Sequence, residues 1–164
     1  MGRKSALSAG FVSMALFLAP WPLVFAAGSV EMQVKHLTEV SIEEYNQAME
    51  AGIHDNWVKY FTDNVSRSDL LSAQQGKAEF SEYYRKEFKD FQAKMTIDKI
   101  IAEGRSAAVV FTWDAVHKAS GRSLKLRMVG VFEMASSGKF ESVSFYYDSE
   151  KLGKFQHEVS TASK

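Results

Sequence analysis

The chain of 164 residues contains no cysteine and two prolines. Without cysteine there is no thiolate nucleophile, no cysteine-ligated zinc site and no redox motif. A domain of this length needs no disulfide if its hydrophobic core is adequate. Both prolines, Pro20 and Pro22, lie in an apolar N-terminal stretch, so the rest of the chain has none. The length is enough for one domain with one core.

Signals for nucleic-acid, metal and nucleotide binding are also missing from the sequence. Beyond residue 26 the chain carries 18 basic and 20 acidic residues, whereas a nucleic-acid-binding domain normally has a basic face. The glycine-containing turns match no phosphate-loop or dinucleotide fingerprint. The histidines are scattered without metal-ligand spacing: His36, His54, His117 and His157. We therefore expect no nucleic-acid partner, no metal and no cofactor.

The N-terminal 26 residues have the features of a signal peptide. Arg3 and Lys4 precede a nearly uncharged apolar run, and Val24-Phe25-Ala26 fits a cleavage site, which we place after Ala26. An uncleaved membrane anchor is the alternative, because about 20 apolar residues can span a bilayer. The prolines near the end of the run favour cleavage. We predict export to the periplasm or the extracellular space, with membrane contact only through an uncleaved leader.

Helical patterns follow the leader. We predict a lead-in segment over residues 27–40, a domain over 41–155 and a flexible tail over 156–164. The sequence Ser41-Ile42-Glu43-Glu44 reads as a capping box that opens the first helix. Asp55 caps a short second helix. A third helix begins near Gly76, and aromatic residues at helical spacing form its apolar stripe: Phe80, Tyr84, Phe88 and Phe91.

The last third of the chain predicts an antiparallel meander. After a first strand over 94–102, runs of strand-forming residues span 106–117, 122–134 and 139–148, joined by turns at Gly121 and Gly138. Alternation places large apolar residues on one face of these strands. That face should meet the aromatic stripe of the third helix. The fold class is therefore α+β, with N-terminal helices packed on a strongly curved antiparallel or mixed sheet.

Several short segments carry a family resemblance. They are Lys59 to Val65, Gly76-Lys77, Gly121-Arg122-Ser123, Gly130-Val131-Phe132-Glu133, Gly138-Lys139 and Tyr146-Tyr147-Asp148. Together they resemble the nuclear transport factor two-like superfamily, and within it the SnoaL-like and limonene-epoxide-hydrolase-like branch. The resemblance covers about Ser41 to Phe155. It implies a cone-like α+β fold that encloses a pocket, and it does not fix one activity, because this fold hosts many.

A residue-by-residue comparison with the limonene-epoxide-hydrolase-like proteins argues against epoxide hydrolysis by this chain. The family opens an epoxide with a water held by two aspartates and an arginine, helped by a tyrosine and an asparagine. The resemblance places the arginine and the first aspartate at Phe111 and Trp113, and the second aspartate at Phe145. The tyrosine and asparagine fall near Arg67 and Asp69. Because the carboxylates are replaced, we do not expect epoxide hydrolysis.

The preferred hypothesis is an exported domain whose apolar pocket binds a small hydrophobic ligand, and which forms a homodimer through the outer sheet face. The predicted ligand-binding residues are Trp57, Arg67, Asp69, Tyr84, Phe111, Trp113, Met128, Phe145 and Tyr147.

Two alternatives stay open. One is an isomerase, dehydratase or cyclase acting on a hydrophobic carbonyl compound, with Asp69 as general base and a tyrosine as hydrogen-bond donor. The other is a protein-interaction module that uses the mixed face of the sheet around Lys125, Arg127, Val129, Val131 and Glu133.

Overall fold

The computed structural model describes residues 23–162, with the side chains of 28–161. The helices are α1 (Leu23–Ala51), α2 (Asp55–Val58), α3 (Lys77–Asp90) and α4 (Ser149–Ala162). The strands are β1 (Phe61–Ser68), β2 (Ala73–Gln75), β3 (Phe91–Glu103), β4 (Ser106–His117), β5 (Ser123–Met134) and β6 (Phe140–Tyr147). Residues 1–22 of the predicted signal peptide lie outside the described part. None of the helices between residues 23 and 162 is both long and apolar enough to cross a membrane.

The strands form one curled sheet in the order β2-β1-β6-β5-β4-β3. β1 runs parallel to β6, while the other neighbours are antiparallel. The sheet is therefore mixed and is not closed. The predicted meander is confirmed as β4, β5 and β6, and Gly121 and Gly138 adopt positive φ values of 69° and 75° in its turns. The expected α+β architecture is confirmed.

Alternation along the meander is also confirmed. Phe111 and Phe145 are 0% and 3% exposed, as predicted for inward positions. Gly130 lies between them on β5, and a Cβ there would come within 2.9 Å of Phe132 and 3.2 Å of Phe145. A glycine is required at this position because aromatic rings from neighbouring strands occupy the space that a side chain would fill.

Helix α1 begins well before the predicted capping box. Ser41 lies within α1, and its hydroxyl donates to the Thr38 carbonyl at 3.0 Å, while the Thr38 hydroxyl donates to the Val34 carbonyl at 2.7 Å. Each hydroxyl group thus donates its hydrogen bond to a backbone carbonyl of the preceding helical turn. Thr38 and Ser41 therefore occupy buried positions of a helical stripe that starts at Val34. The prediction that the first helix opens at Ser41 is wrong, because small polar residues hide the periodicity before it.

Helix α3 follows the predicted stripe closely. Phe80, Tyr84 and Phe88 are buried against the sheet and α1. Phe91, which we assigned to the same helix, is instead the first residue of β3. The helix ends there because Phe91 has an extended backbone, with φ −122° and ψ 150°. Its ring packs at 5.8 Å from that of Trp113.

Helix α4 covers the end of the predicted domain and most of the segment that we predicted as a flexible tail. Asp148 caps it, since its carboxylate accepts from the Lys151 amide at 3.0 Å. Phe155 is 5% exposed and faces Phe91 at 6.3 Å between ring centroids. An amphipathic face thus docks this polar segment onto the domain. Residues 163–164 lie outside the described part of the chain.

Candidate functional site

A pocket of about 250 Å³ opens between α3, the inner face of the sheet and α4. Its apolar wall comes from six residues: Phe91, Met95, Leu126, Met128, Phe145 and Leu152. Its polar wall includes Arg67, Asp69, Tyr83, Glu87, Tyr147 and Gln156. The volume lies slightly below the range of about 300–1,000 Å³ that is typical of small-molecule sites. A cavity therefore persists among the many aromatic residues, and it suits a compact molecule.

The structure brings most of the predicted ligand-binding residues together around this pocket. They are Arg67, Asp69, Tyr84, Trp113, Met128, Phe145 and Tyr147. Trp57 and Phe111 do not line it, and both are 0% exposed. Trp57 packs edge-on against Phe61 at 4.9 Å, and Phe111 against Phe145 at 6.2 Å. We correct the prediction for these two residues, because aromatic side chains there fill the core.

Arg67 is the centre of a buried polar group that we call the Arg67 cluster, formed with Asp69, Ser72, Gln74 and Tyr83. The Arg67 and Asp69 side chains are each 4% exposed, and Nη2 of the arginine lies 2.6 Å from Oδ2 of the aspartate. Nη2 also donates to the Tyr83 hydroxyl at 2.8 Å, and Nη1 donates to Gln74 Oε1 at 2.9 Å. The guanidinium lies 3.8 Å from the centre of the Tyr83 ring. This cluster holds the charge in a fixed position.

The carboxylate of Asp69 is fully engaged. Its Oδ1 accepts from the backbone amides of Leu71 and Ser72 at 2.7 and 2.8 Å, and its Oδ2 accepts from Arg67. Burial alone would raise its pKa, but the Leu71 amide and the Arg67 charge outweigh burial, and the pKa of Asp69 is lowered. A carboxylate with a low pKa and occupied lone pairs is a weak base. The candidate general base of the sequence is therefore better suited to holding Arg67.

The tyrosines of the pocket are kept protonated. Burial raises the pKa of Tyr84 to about 12. Burial, together with the negative charge of Asp69, raises the pKa of Tyr147 to about 12. Burial and the charge of Glu87 raise the pKa of Tyr83 far above its usual range. At neutral pH these side chains present hydroxyl groups that can donate hydrogen bonds.

A second polar group, which we call the Glu87 chain, runs across the pocket wall from Trp113 through Tyr45 to Glu87. Trp113 Nε1 donates to the Tyr45 hydroxyl at 3.2 Å, and that hydroxyl donates to Glu87 Oε1 at 2.5 Å. Tyr45 is 0% exposed. Burial raises the pKa of Glu87 despite the hydrogen bond from Tyr45 and the charge of Arg67, both of which lower it. Burial thus outweighs both influences and favours the protonated form of Glu87.

Sequence reasoning did not identify Tyr83 or Glu87 as site residues. Both lie on α3, four residues apart, beside the aromatic stripe that the periodicity revealed. A signal was present, since residues at i and i+4 share a helix face. The prediction for α3 followed its apolar periodicity alone, and that periodicity does not point to the polar residues beside the stripe.

The residues that the structure describes contain no cluster suited to metal binding. Between residues 23 and 162 no three His, Cys, Asp or Glu side chains come together in a group that could hold a metal ion. The chemistry that this pocket presents is that of carboxyl, hydroxyl and guanidinium groups.

A family model describes the chain as a SnoaL-like domain over residues 42–143. The chain belongs to the SnoaL-like domain family. The matched segment contains α2, α3 and β1 to β5, and it ends within β6. Helix α4, which contributes Leu152 and Gln156 to the pocket of this SnoaL-like domain, lies beyond it. No curated protein matches the chain.

Solved structures share the fold of this SnoaL-like domain. One is SalBIII, an epoxide hydrolase/cyclase-like enzyme with a role in pyran ring formation in the polyether salinomycin. It is 20% identical to this chain with a TM-score of 0.66, and the match covers 74% of this chain and 95% of SalBIII. A protein from Jannaschia sp. CCS1, described as a SnoaL-like polyketide cyclase, is 16% identical with a TM-score of 0.66, over 75% and 90%. An M. tuberculosis LEH-like epoxide hydrolase is 17% identical with a TM-score of 0.58, over 70% and 84%. At these identities the likeness shows the fold alone.

Proposed function

We propose that this protein is an exported SnoaL-like domain that binds a small, largely apolar molecule carrying an oxygen function. The observation that carries the proposal is the division of the pocket into an apolar wall and a polar wall. Met128 and Leu126 belong to the former, and Arg67 and Tyr83 to the latter. Such a site buries hydrocarbon while a few hydroxyl groups orient an oxygen atom.

The pocket also lacks the charge arrangement that a strongly anionic ligand requires. Arg67 is its buried cation, and Asp69 already neutralises it at 2.6 Å. A ligand carboxylate or phosphate would have to compete with that ion pair and lose its hydration. A neutral carbonyl or hydroxyl group needs no such exchange, because the protonated tyrosines can donate to it.

The test is to titrate the protein with β-tetralone, an apolar bicyclic ketone, and to measure binding by isothermal titration calorimetry. We expect wild-type protein to bind it. Met128→Trp should weaken binding by about tenfold or more, which corresponds to about 1.4 kcal/mol, because the larger side chain fills the cavity. Met32→Trp is the matched control, since Met32 is 67% exposed on α1. Failure of the wild type to bind, or equal binding by the Met128 variant, would reject the proposal.

Export is the second element of the proposal, and it rests on the leader at residues 1–26. Cleavage after Ala26 would remove the first four residues of α1, which begins at Leu23. Sequencing the N-terminus of protein recovered from the periplasm or medium tests this directly. An intact leader on a membrane-bound chain would instead support the anchor.

Self-association is the third element. Val129 pairs with Tyr146 on the outer face of the sheet, and Tyr146 is 53% exposed. An apolar surface on an otherwise charged sheet favours a homodimer. Light scattering on wild-type protein and on the Val129→Lys variant should give a dimer and a monomer, respectively. A monomeric wild type would reject this element and leave the pocket unaffected.

A further inference from the structure

Helix α4 forms one wall of the pocket but is held less firmly than α1. It supplies Leu152 and Gln156 to the pocket. Among residues 149–161 only the side chain of Phe155 is buried, while Leu152 and Val159 are partly buried against the core. Helix α1, by contrast, buries a long apolar stripe: Val34, Ile42, Tyr45, Ala48 and Met49. A segment with few buried apolar contacts opens at a lower free-energy cost than the core does.

The polar contacts between α4 and the sheet lie in solvent. Arg122 Nη1, in the turn between β4 and β5, lies 2.6 Å from Glu158 Oε2, and the two side chains are 48% and 53% exposed. Lys151 Nζ donates to the Lys125 carbonyl at 2.7 Å, and this bond is exposed as well. Exposed contacts of this kind contribute little to stability, because water competes for the charged groups. They orient α4 without holding it tightly.

The sequence of α4 also weakens the helix itself. Gly153 lies next to Leu152 inside the helix, and glycine loses more backbone entropy on folding than any other residue. Outside the helix backbone nothing lies within 4 Å of the position that a Cβ would occupy, so packing does not require a glycine there. A helix of 14 residues is marginal in water without tertiary contacts. Helix α4 therefore depends on the docking of Phe155 to stay folded.

The connection between α4 and the sheet is short and lies at the pocket. Strand β6 ends at Tyr147, which lines the pocket, and α4 begins at Ser149, so Asp148 alone joins them. The Asp148 carboxylate accepts from the Lys151 amide and fixes the first turn of α4. A helix attached through a single residue can move away from the sheet without disturbing the hydrogen bonds of β6. Such a movement opens the side of the pocket that Leu152 and Gln156 line.

We propose that α4 is a ligand-responsive lid, which undocks from Phe91 to admit a small apolar molecule and is then held in the docked position by that molecule. The inference rests on the proposed function, because it needs a ligand in the same pocket. The ligand favours the docked state, since Leu152 and Gln156 line the pocket only there. A ligand shifts such an equilibrium by as much as it binds one state more tightly than the other.

Phe155 is the positioning residue of this lid. It does not line the pocket, and its ring lies 6.3 Å from the ring of Phe91, which does. A change at Phe155 therefore removes no contact with the ligand, yet it lowers the fraction of molecules in which the pocket is complete. The apparent affinity falls in proportion to that fraction. Gly153→Ala acts in the opposite direction, because alanine favours the helix.

Hydrogen–deuterium exchange of the purified protein, measured by mass spectrometry, tests the lid. Without ligand, the amides of α4 should exchange at least about tenfold faster than those of the buried part of α1, because weakly packed segments open locally. β-Tetralone at about 100 times its dissociation constant should slow exchange in α4 by at least about tenfold, with an upper limit of about 100-fold set by mass action. Exchange in α1 should not change.

Three variants separate docking from folding. Phe155→Ala should speed exchange in α4 and weaken ketone binding about tenfold in calorimetry, while exchange in α1 stays slow. Gly153→Ala should slow exchange in α4. His157→Gln is the matched control, because His157 is exposed on the same helix. Its exchange and its affinity for the ketone should match those of the wild type.

The outcomes distinguish this inference from the proposed function. A wild type that does not bind the ketone overturns the proposed function, and the response of α4 to a ligand falls with it. The inference alone fails if the ketone binds but leaves exchange in α4 unchanged, or if Phe155→Ala binds the ketone as tightly as the wild type. It also fails if α4 exchanges as slowly as α1 without ligand, since α4 then does not open.

Discussion

The Arg67 cluster and the Glu87 chain line the same pocket but differ in how fully their polar atoms are engaged. Both carboxylate oxygens of Asp69 accept hydrogen bonds, whereas Glu87, which lines the pocket, has a donor on Oε1 from Tyr45 and none on Oε2 among the described residues. The pKa of Asp69 is lowered and that of Glu87 is raised. The difference shows that a carboxylate whose two oxygens both have donors is held for structure, while one with a single donor keeps an oxygen open to other interactions.

The strongest way to break the comparison is to remove the cation of the Arg67 cluster. Arg67→Met leaves Asp69 buried without its ion pair, which costs about 3–5 kcal/mol of unfolding free energy. Urea denaturation measures the loss. Asp69→Asn in the same background should recover part of it, because no unpaired charge then persists.

A variant of an exposed arginine on α3 serves as the control for this test. Arg85 pairs with Glu82 on the exposed face of α3, so Arg85→Met should leave the unfolding free energy almost unchanged. Equal losses for the two arginine variants would mean that the Arg67 cluster is no more structural than a surface pair.

The sequence predicted the strands and apolar residues that form the pocket better than it predicted the polar groups that line it. Period-two alternation identified β4 to β6, and Phe111, Trp113 and Phe145 lie on the inner face as expected. Alternation works there because one sheet face is buried. Glu87 escaped notice because its role depends on Tyr45, which is 42 residues away in the chain. Local patterns carry no information on such pairs. The capping-box pattern at Ser41 misplaced the start of α1 for a different, local reason, because Thr38 and Ser41 occupy buried positions of the helix and hydrogen-bond to its preceding turn.

The second test disturbs the wall that supports the Arg67 cluster. Gly130→Ala puts a Cβ within 2.9 Å of Phe132 and 3.2 Å of Phe145, and Phe145 lies 5.4 Å from the Arg67 guanidinium. Overpacking of this kind costs about 2–3 kcal/mol. Thermal unfolding measures the change.

Gly153→Ala gives the opposite expectation. A Cβ at Gly153 meets nothing within 4 Å, and alanine favours the helix α4 by up to about 1 kcal/mol. Stabilisation by both alanine variants would show that the ring packing at Gly130 yields without strain, and the account of that wall would be wrong.

The third test breaks the Glu87 chain. Tyr45→Phe removes the donor to Glu87 and leaves the indole N–H of Trp113 without its acceptor. Because both groups are then less well satisfied, we expect a loss of about 1–2 kcal/mol in urea denaturation. Tyr146→Phe is the control, since Tyr146 is 53% exposed. Equal losses of unfolding free energy for the two tyrosine variants would show that the Glu87 chain stabilises the fold no more than an exposed hydroxyl group does.

The smallest effect sharpens the comparison most, because the two carboxylates should respond to pH with opposite signs. The folded-state pKa of Glu87 is raised above its ordinary value of 4.5, so its contribution to stability is full below pH 4.5 and is lost as pH rises through the folded pKa. The folded-state pKa of Asp69 is lowered below 3.8, so its contribution is present above pH 3.8 and is lost as pH falls through the folded pKa. At pH 7, Glu87→Gln should therefore stabilise the protein, and Asp69→Asn should destabilise it. Both differences should shrink in acid, which chemical denaturation at several pH values measures. If Glu87→Gln destabilises at pH 7, the carboxylate is satisfied in the fold, and the contrast between the two carboxylates fails.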